Sequence, residues 1–284
     1  MIRPLKKYSL EIVLLLPMLA YLLGFTLLPV MNSIYLSLFD SSGLAFPSSG
    51  SYGYIISHFQ FKEALINTLV IVFAGLTLEF FLGLAMALVL LEKFRGRGLV
   101  RAVMLLPLGI TTIVAASNMR YVFDTHGFLN KALMRLNIIS APADWTGGGA
   151  ATLLSVIAAD MWKVTPLIML ILLAGIESIP SEVIGAAKVD GASYMKRLRH
   201  IILPMLKPFI TMALVVRGID AFRIFELPLA LAGRTVPVLS TYAFFEYREY
   251  GNVHTSAAAS TMLFVIILVS IGAYLFLSRR NREI

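Results

Sequence analysis

Six stretches of this 284-residue chain are each long and apolar enough to cross a hydrocarbon layer, and that repetition leaves few folds open. A bilayer core needs about 20 mostly apolar residues per helix. The runs at 10–38, 65–91, 102–120, 150–176, 208–233 and 257–278 meet that need. Within hydrocarbon, backbone N–H and C=O groups must be satisfied inside the protein, so the expected fold class is all-α, a polytopic membrane protein with six transmembrane helices. Charged residues are only 14% of the chain and hydrophobic residues 58%. Arg3, Lys6 and Lys7 precede the first run as they would in a signal peptide. That run is too long for such a segment and lacks a small-x-small cleavage site, so it reads as a retained helix.

The net charge of +8 is not pooled on one arm or amphipathic face, which argues against a nucleic-acid partner. The cations fall instead between apolar runs. Arg3, Lys6 and Lys7, then Lys93, Arg95, Arg97 and Arg101, then Lys188, Lys196, Arg197, Arg199 and Lys207, and finally Arg279, Arg280 and Arg282 all lie on one side if there are six spans. Only Lys62, Lys131, Arg135, Arg234 and Arg248 lie on the other. The positive-inside bias therefore predicts a multi-pass membrane protein with both termini and the segments 92–101 and 177–207 cytoplasmic. Cysteine is absent, which excludes thiolate metal sites, disulfides and Cys nucleophiles. His58, His126, His200 and His254 are scattered without ligand spacing, so no metal is expected.

Pro29, Pro107, Pro166 and Pro228 fall within or near the ends of the predicted helices and favour kinks there. The segments 39–64 and 121–149 read as loops, and Gly147, Gly148 and Gly149 form a flexible run. Nothing separates off a soluble domain, so residues 1–284 are expected to form one transmembrane domain with a cytoplasmic loop at 177–207.

That loop reads SIPSEVIGAAKVDGASYMKRLRHIILPMLKP. Ser181 is placed to cap a short helix through about Val189, with Glu182 near the positive end of its dipole. Ala186 and Ala187 give that helix a small surface, Gly191 permits a tight turn, and Ser193 starts a second short helix toward Ile201, Leu203 and Pro204. The expected unit is helix, turn, helix.

The series Ala186, Ala187, Gly191, Ile201, Leu203, Pro204 resembles the EAA loop of ABC importer permeases, with Gly185 in place of the usual Glu. The segments NTLVIVFAGLTLEFFLGLAMALVL (67–90), RAVMLLPLGITTIVAA (101–116) and DAFRIFELPLALAGR (220–234) are similar to the group of such permeases that carries maltose, trehalose and glycerol phosphate. The resemblance implies a type I importer permease fold in a prokaryotic plasma (inner) membrane. It implies that Gly185, Ala186, Ala187, Asp190, Gly191, Ala192, Ile201, Leu203 and Pro204 couple the chain to an ATPase. It also implies a second homologous permease, two nucleotide-binding subunits and an extracytoplasmic solute-binding protein as partners, besides membrane lipid and a sugar substrate. No G-x-x-x-x-G-K-[ST] run is present. A chain without this phosphate cradle is expected to be a transport subunit rather than an enzyme, with no cofactor of its own and ATP and Mg bound by the partner.

Ionisable residues inside spans are costly and usually face a cavity. Asp160, Trp162 and Lys163 on span four, Arg217, Asp220, Arg223 and Glu226 on span five, and Thr112 and Asn118 on span three are the candidates for a solute path. The resemblance places Asp160, Trp162, Lys163, Arg217 and Asp220 near sugar-contacting positions. The row from Arg217 to Glu226 advances in steps of three, so each residue can pair with the next. Ion pairs between neighbouring spans, with Trp162 as an interfacial anchor, are the competing reading of these side chains. The expected solute is a disaccharide such as trehalose or maltose, with a glycerol-phosphate compound drawn by Arg217 and Arg223 as the alternative. An ion-coupled secondary transporter using Asp160 and Glu226 as proton carriers is the alternative from another class.

Overall fold

A computed structural model describes residues 9–92 and 94–280. Arg3, Lys6, Lys7, Lys93 and Arg282 lie outside the described residues, as do the side chains of Arg279 and Arg280. Every regular element described is helical. Five helices are long and apolar enough to cross a membrane: Val13–Ser37, Phe59–Leu91, Gly149–Glu177, Tyr194–Phe222 and Val253–Ser278. A sixth crossing is formed if Arg97–Gly109 and Thr112–Arg135, bent by 100° between them, are one span. In chain order these are spans one, two, four, five and six, with the bent pair as span three.

The described chain divides into two compact units, one holding the residues up to Phe61 with Tyr242–Val265, the other Lys62–Thr241 with the residues from Ile266 onward. In the smaller unit span one contains a π turn at Leu23–Leu27. Pro29 follows directly, at the start of the next helical stretch. A proline lacks the donor for its own turn and crowds the carbonyl four residues back, and a widened turn relieves both. The segment after span one is not a plain loop. Asp40 accepts from the Ser42 hydroxyl and from the Ala45 and Leu44 amides at 3.0 and 2.8 Å, which together hold its carboxyl below the usual carboxylate range. A short helix, Gly50–Ser57, follows, and Tyr52 donates to Ser37 Oγ at 2.7 Å.

The larger unit is organised around span four, whose face is the most deeply buried of the spans. One apolar cluster joins Ala87 and Leu90 of span two to Ile168, Met169, Leu172, Leu173 and Ile176 of span four and to Ile202, Leu206 and Ala213 of span five. Small residues make this approach possible. A Cβ at Gly83 would stand 2.9 Å from Ile168 Cγ2, and one at Gly175 would stand 2.5 Å from the Phe209 ring. Without a strong hydrophobic drive between helices in lipid, such close backbone contact is a main source of packing energy.

Several expected boundaries shift. Span two begins at Phe59 rather than 65. Span three is interrupted at Ile110 and Thr111, where the backbone turns extended. Span five starts at Tyr194 and ends at Phe222, so 223–233 is not part of it; Arg223 caps its end and a separate short helix, Glu226–Ala232, follows. The stretch 121–149 contains the helix Phe128–Arg135. Buried Asn130 pins it, donating to Thr125 O and Ala143 O at 2.9 and 2.8 Å and accepting from Trp145 Nε1 at 2.9 Å. The glycine run beside it is engaged too: the Gly147 amide bonds Asp144 Oδ1 and the Gly148 amide bonds Thr152 Oγ1, each at 2.8 Å.

Candidate functional site

Asp160 and Lys163 stand three residues apart on span four, and Arg217 and Asp220 three apart on span five, so each pair shares a helix face. Packing the two spans together brings these faces to one cavity of 320 Å³. Thr112 reaches it as the first helical residue beyond the break in span three. Arg223 and Glu226 reach it because span five stops at Phe222 and the chain turns back into the Glu226–Ala232 helix. The structure thus gathers seven of the nine expected solute-path residues at one opening. Asn118 and Trp162 are exposed and do not line it. Trp162, at 37% exposure, turns away because it lies 200° around the helix from Asp160.

Arg217 is 2% exposed and organises the cavity wall. Its Nε and Nη2 donate to Glu79 Oε2 and Oε1 at 2.8 and 3.0 Å, Nη2 also donates to Asp160 Oδ2, and Nη1 donates to Asp220 Oδ2 at 3.1 Å. This fork-to-carboxylate geometry is what a guanidinium does best in a dry setting. Arg223 approaches the other oxygen of Asp220 at 3.9 Å. The expected pairing therefore holds for Arg217 with Asp220 and Asp220 with Arg223. It fails at Glu226, for which no ion pair is formed among the described residues, because the helix that would have kept the three-residue step has ended.

Glu79 was not among the candidates, yet it is fully buried and takes two of Arg217's bonds. Its signal was present: it is the only charged residue between Ala64 and Leu91. An isolated carboxylate in an apolar run demands a partner.

The second candidate region is the loop. Ser181 is the first residue of the helix Ser181–Val189 rather than its cap; Pro180 holds the cap position without a side-chain bond, and the Ser181 hydroxyl turns to Glu182 Oε1 at 3.2 Å. The helix closes on Gly191 at φ +72°, with the Gly191 amide on Lys188 O at 3.1 Å and the Ala192 amide on Ala187 O at 2.9 Å. This is a Schellman closure, whose left-handed residue only glycine adopts without cost. It explains the spacing from Ala187 through Asp190, the helix-ending residue, to Ala192. Ser193 caps the next helix, accepting from the Lys196 amide at 3.4 Å. That helix is not short, as expected, but runs on into span five through a π turn at Leu198–Ile202, just ahead of Pro204. Ile201 lies in the π turn, and Leu203 and Pro204 open the following α-helical stretch.

Beside the loop lies a cavity of 630 Å³, walled by Leu91, Ile176, Ile179, Ile184, Gly185 and Ile202 and rimmed by Glu92, Arg97, Glu177, Lys188, Tyr194 and Arg197. Arg97 and Glu177 are paired at 2.6 Å across it. Ala187 is buried, whereas Gly185 and Ala186 are exposed. No group of three His, Asp or Glu side chains that could hold a metal occurs among the described residues.

A bundle of apolar helices with a charged cavity among spans three, four and five has the form of a multi-pass membrane protein. Residues 79–283 match the family of binding-protein-dependent transport system inner membrane components, and the chain belongs to that family. It is 33% identical over 287 residues to the trehalose/maltose transport system permease MalF of Thermococcus litoralis, covering 98% of this chain and 96% of that one. It is 35% identical over 269 residues to the trehalose transport system permease SugA of Mycobacterium tuberculosis, covering 92% and 85%. Its fold matches, with a TM-score of 0.84 and 22% identity over 98% of this chain and 97% of the other, that of a bacterial alginate ABC transporter crystallised with an alginate pentasaccharide-bound periplasmic protein.

Proposed function

We propose that this chain is the permease subunit of an ATP-driven importer of an uncharged sugar, a disaccharide such as trehalose or maltose in the first place. The observation that carries the choice of solute is the charge arrangement at the cavity. Its wall holds three carboxylates, of Asp160, Asp220 and Glu226, against three cations, of Lys163, Arg217 and Arg223. Buried Glu79 adds a fourth negative charge behind Arg217. Of the two arginines that would have drawn a glycerol phosphate, Arg217 is held by buried carboxylates, while Arg223 approaches Asp220 at 3.9 Å. A neutral polyol needs none of these pairs broken, only hydrogen-bonding groups at their edges.

The names of the trehalose and maltose relatives support the same solute class. In this reading residues 1–284 form one transmembrane domain, working beside a second homologous permease, two ATPase subunits and an external solute-binding protein. Both termini and the loop at 177–207 face the cytoplasm. The loop passes closure of the ATPases to span five, with which its second helix is continuous. Thr112, Asp160, Lys163, Arg217, Asp220, Arg223 and Glu226 border the path.

The test is uptake by the full complex in vesicles. ATP-dependent entry of labelled disaccharide, insensitive to an uncoupler, is the expected result; preferential uptake of glycerol phosphate, or uncoupler-sensitive uptake without the ATPases, overturns it. Gly191→Pro, which cannot adopt φ near +72°, is expected to abolish solute-stimulated ATP hydrolysis while the protein still inserts.

A further inference from the structure

Gly185 sits in the interior of the helix Ser181–Val189, where its φ is not positive and no turn requires it. A glycine there weakens the helix relative to alanine, because it has more backbone freedom to lose. At Gly83 and Gly175 a similar cost is offset by the close approach of a neighbouring helix. Gly185 has no such neighbour: a Cβ built on it meets nothing within 4 Å. The space it leaves is open to a body from outside the chain.

The surroundings say what that body carries. Five charged side chains rim the adjoining cavity, Glu92, Arg97, Glu177, Lys188 and Arg197. Arg97 and Glu177 neutralise each other at 2.6 Å. That leaves Lys188 and Arg197 against Glu92, a surplus of one positive charge. Arg197 is held in place at the rim, with Nη1 on Ala192 O at 2.7 Å and its guanidinium over the Tyr194 ring at 6.0 Å. Lys188 stands three residues along the helix from Gly185, on a neighbouring part of its surface. Below the rim the walls are apolar, with Leu91, Ile176, Ile179, Ile184 and Ile202, so a charge entering here is partly withdrawn from water.

We propose that the nucleotide-binding subunit inserts an acidic side chain through the notch at Gly185, where it pairs with Lys188 and Arg197. This rests on the reading of the loop as the coupling element. The polarity is then the reverse of a loop that presents its own glutamate: the cations are on the permease and the carboxylate comes from the ATPase. A glycine at position 185 serves this arrangement twice, by leaving room and by withholding a competing negative charge.

The experiment measures solute-stimulated ATP hydrolysis by the complete importer with its binding protein, in vesicles of neutral phospholipid, for Gly185→Glu, Gly185→Gln and Lys188→Gln. Like charges brought together across an interface are strongly disfavoured, so Gly185→Glu is expected to lower stimulation about tenfold. Gly185→Gln, of equal size and no charge, is expected to lower it only about threefold, and Lys188→Gln about fivefold with a loss of salt sensitivity. Stimulation by Gly185→Glu equal to or above that of the unaltered protein overturns the proposal, since the site would then welcome the carboxylate the loop lacks. Equal losses for the glutamate and glutamine variants overturn it too, by reducing the site to a steric one. An effect of Lys188→Gln that appears only in vesicles containing anionic lipid assigns the cations to a lipid headgroup and overturns it likewise. Failure of the coupling reading itself shows separately, as normal stimulation in Gly191→Pro.

Discussion

The cavity beside Arg217 and the cavity beside Gly185 are both walled by arginine, lysine and carboxylate side chains, but they differ in what those charges have left to do. In the first, one buried guanidinium satisfies Glu79, Asp160 and Asp220 together, and Arg223 leans on the same Asp220. In the second, a single pair, Arg97 with Glu177, is 30% and 45% exposed, and two further cations outnumber the one remaining carboxylate. Burial explains the contrast. A charge taken from water inside a bundle must be matched by the chain itself, whereas a charge at an open rim keeps its hydration until a partner arrives. The buried carboxylates of the first cavity are matched within the chain by Arg217, whereas the rim of the second keeps a cation in surplus for a partner.

The contrast predicts unequal costs of substitution. Arg217→Met strands two buried carboxylates and is expected to cost about 3–5 kcal/mol, read as a large fall in thermal unfolding temperature and yield in detergent. A variant as stable as the parent would mean that Glu79 and Asp160 find other partners and that Arg217 is not what matches them. Glu79→Gln keeps a polar group of the same shape but discards its charge, and is expected to cost about 1.5–3 kcal/mol by the same measurement, with part of the loss removed when it is combined with Arg217→Met. Strict additivity of the two would break the picture of one shared network. At the other cavity, Glu177→Ala removes a partly exposed pair and is expected to change stability by less than about 1 kcal/mol. A loss there as large as that of Glu79→Gln would erase the distinction between the two sites.

The spans were legible because a bilayer imposes one requirement on every residue of a crossing helix, and apolar composition answers it directly. The Schellman turn was legible at Gly191 and Ser193, whose backbone demands are local. The break in span three at Ile110 and Thr111 was legible only as a kink near Pro107, not as a turn of 100°, since both flanking segments remain apolar. The end of span five at Phe222 was not legible: the three-residue row of charges continues past it in sequence, although the helix does not. Trp162 was placed beside the path on the strength of its neighbours, and the helical rotation from Asp160 removed it.

By itself the sequence determined that this chain lives in a membrane, that its elements are helices, and that charges buried among them need company. Those consequences follow from solvation and from backbone hydrogen bonding, which act residue by residue. The tertiary structure alone decided which charges keep company. Glu79 and Arg217 are 138 residues apart, and only the approach of spans two, four and five over small residues such as Gly83 brings them within 3 Å. Electrostatic matching depends on distance in space, and the folded bundle is what sets that distance.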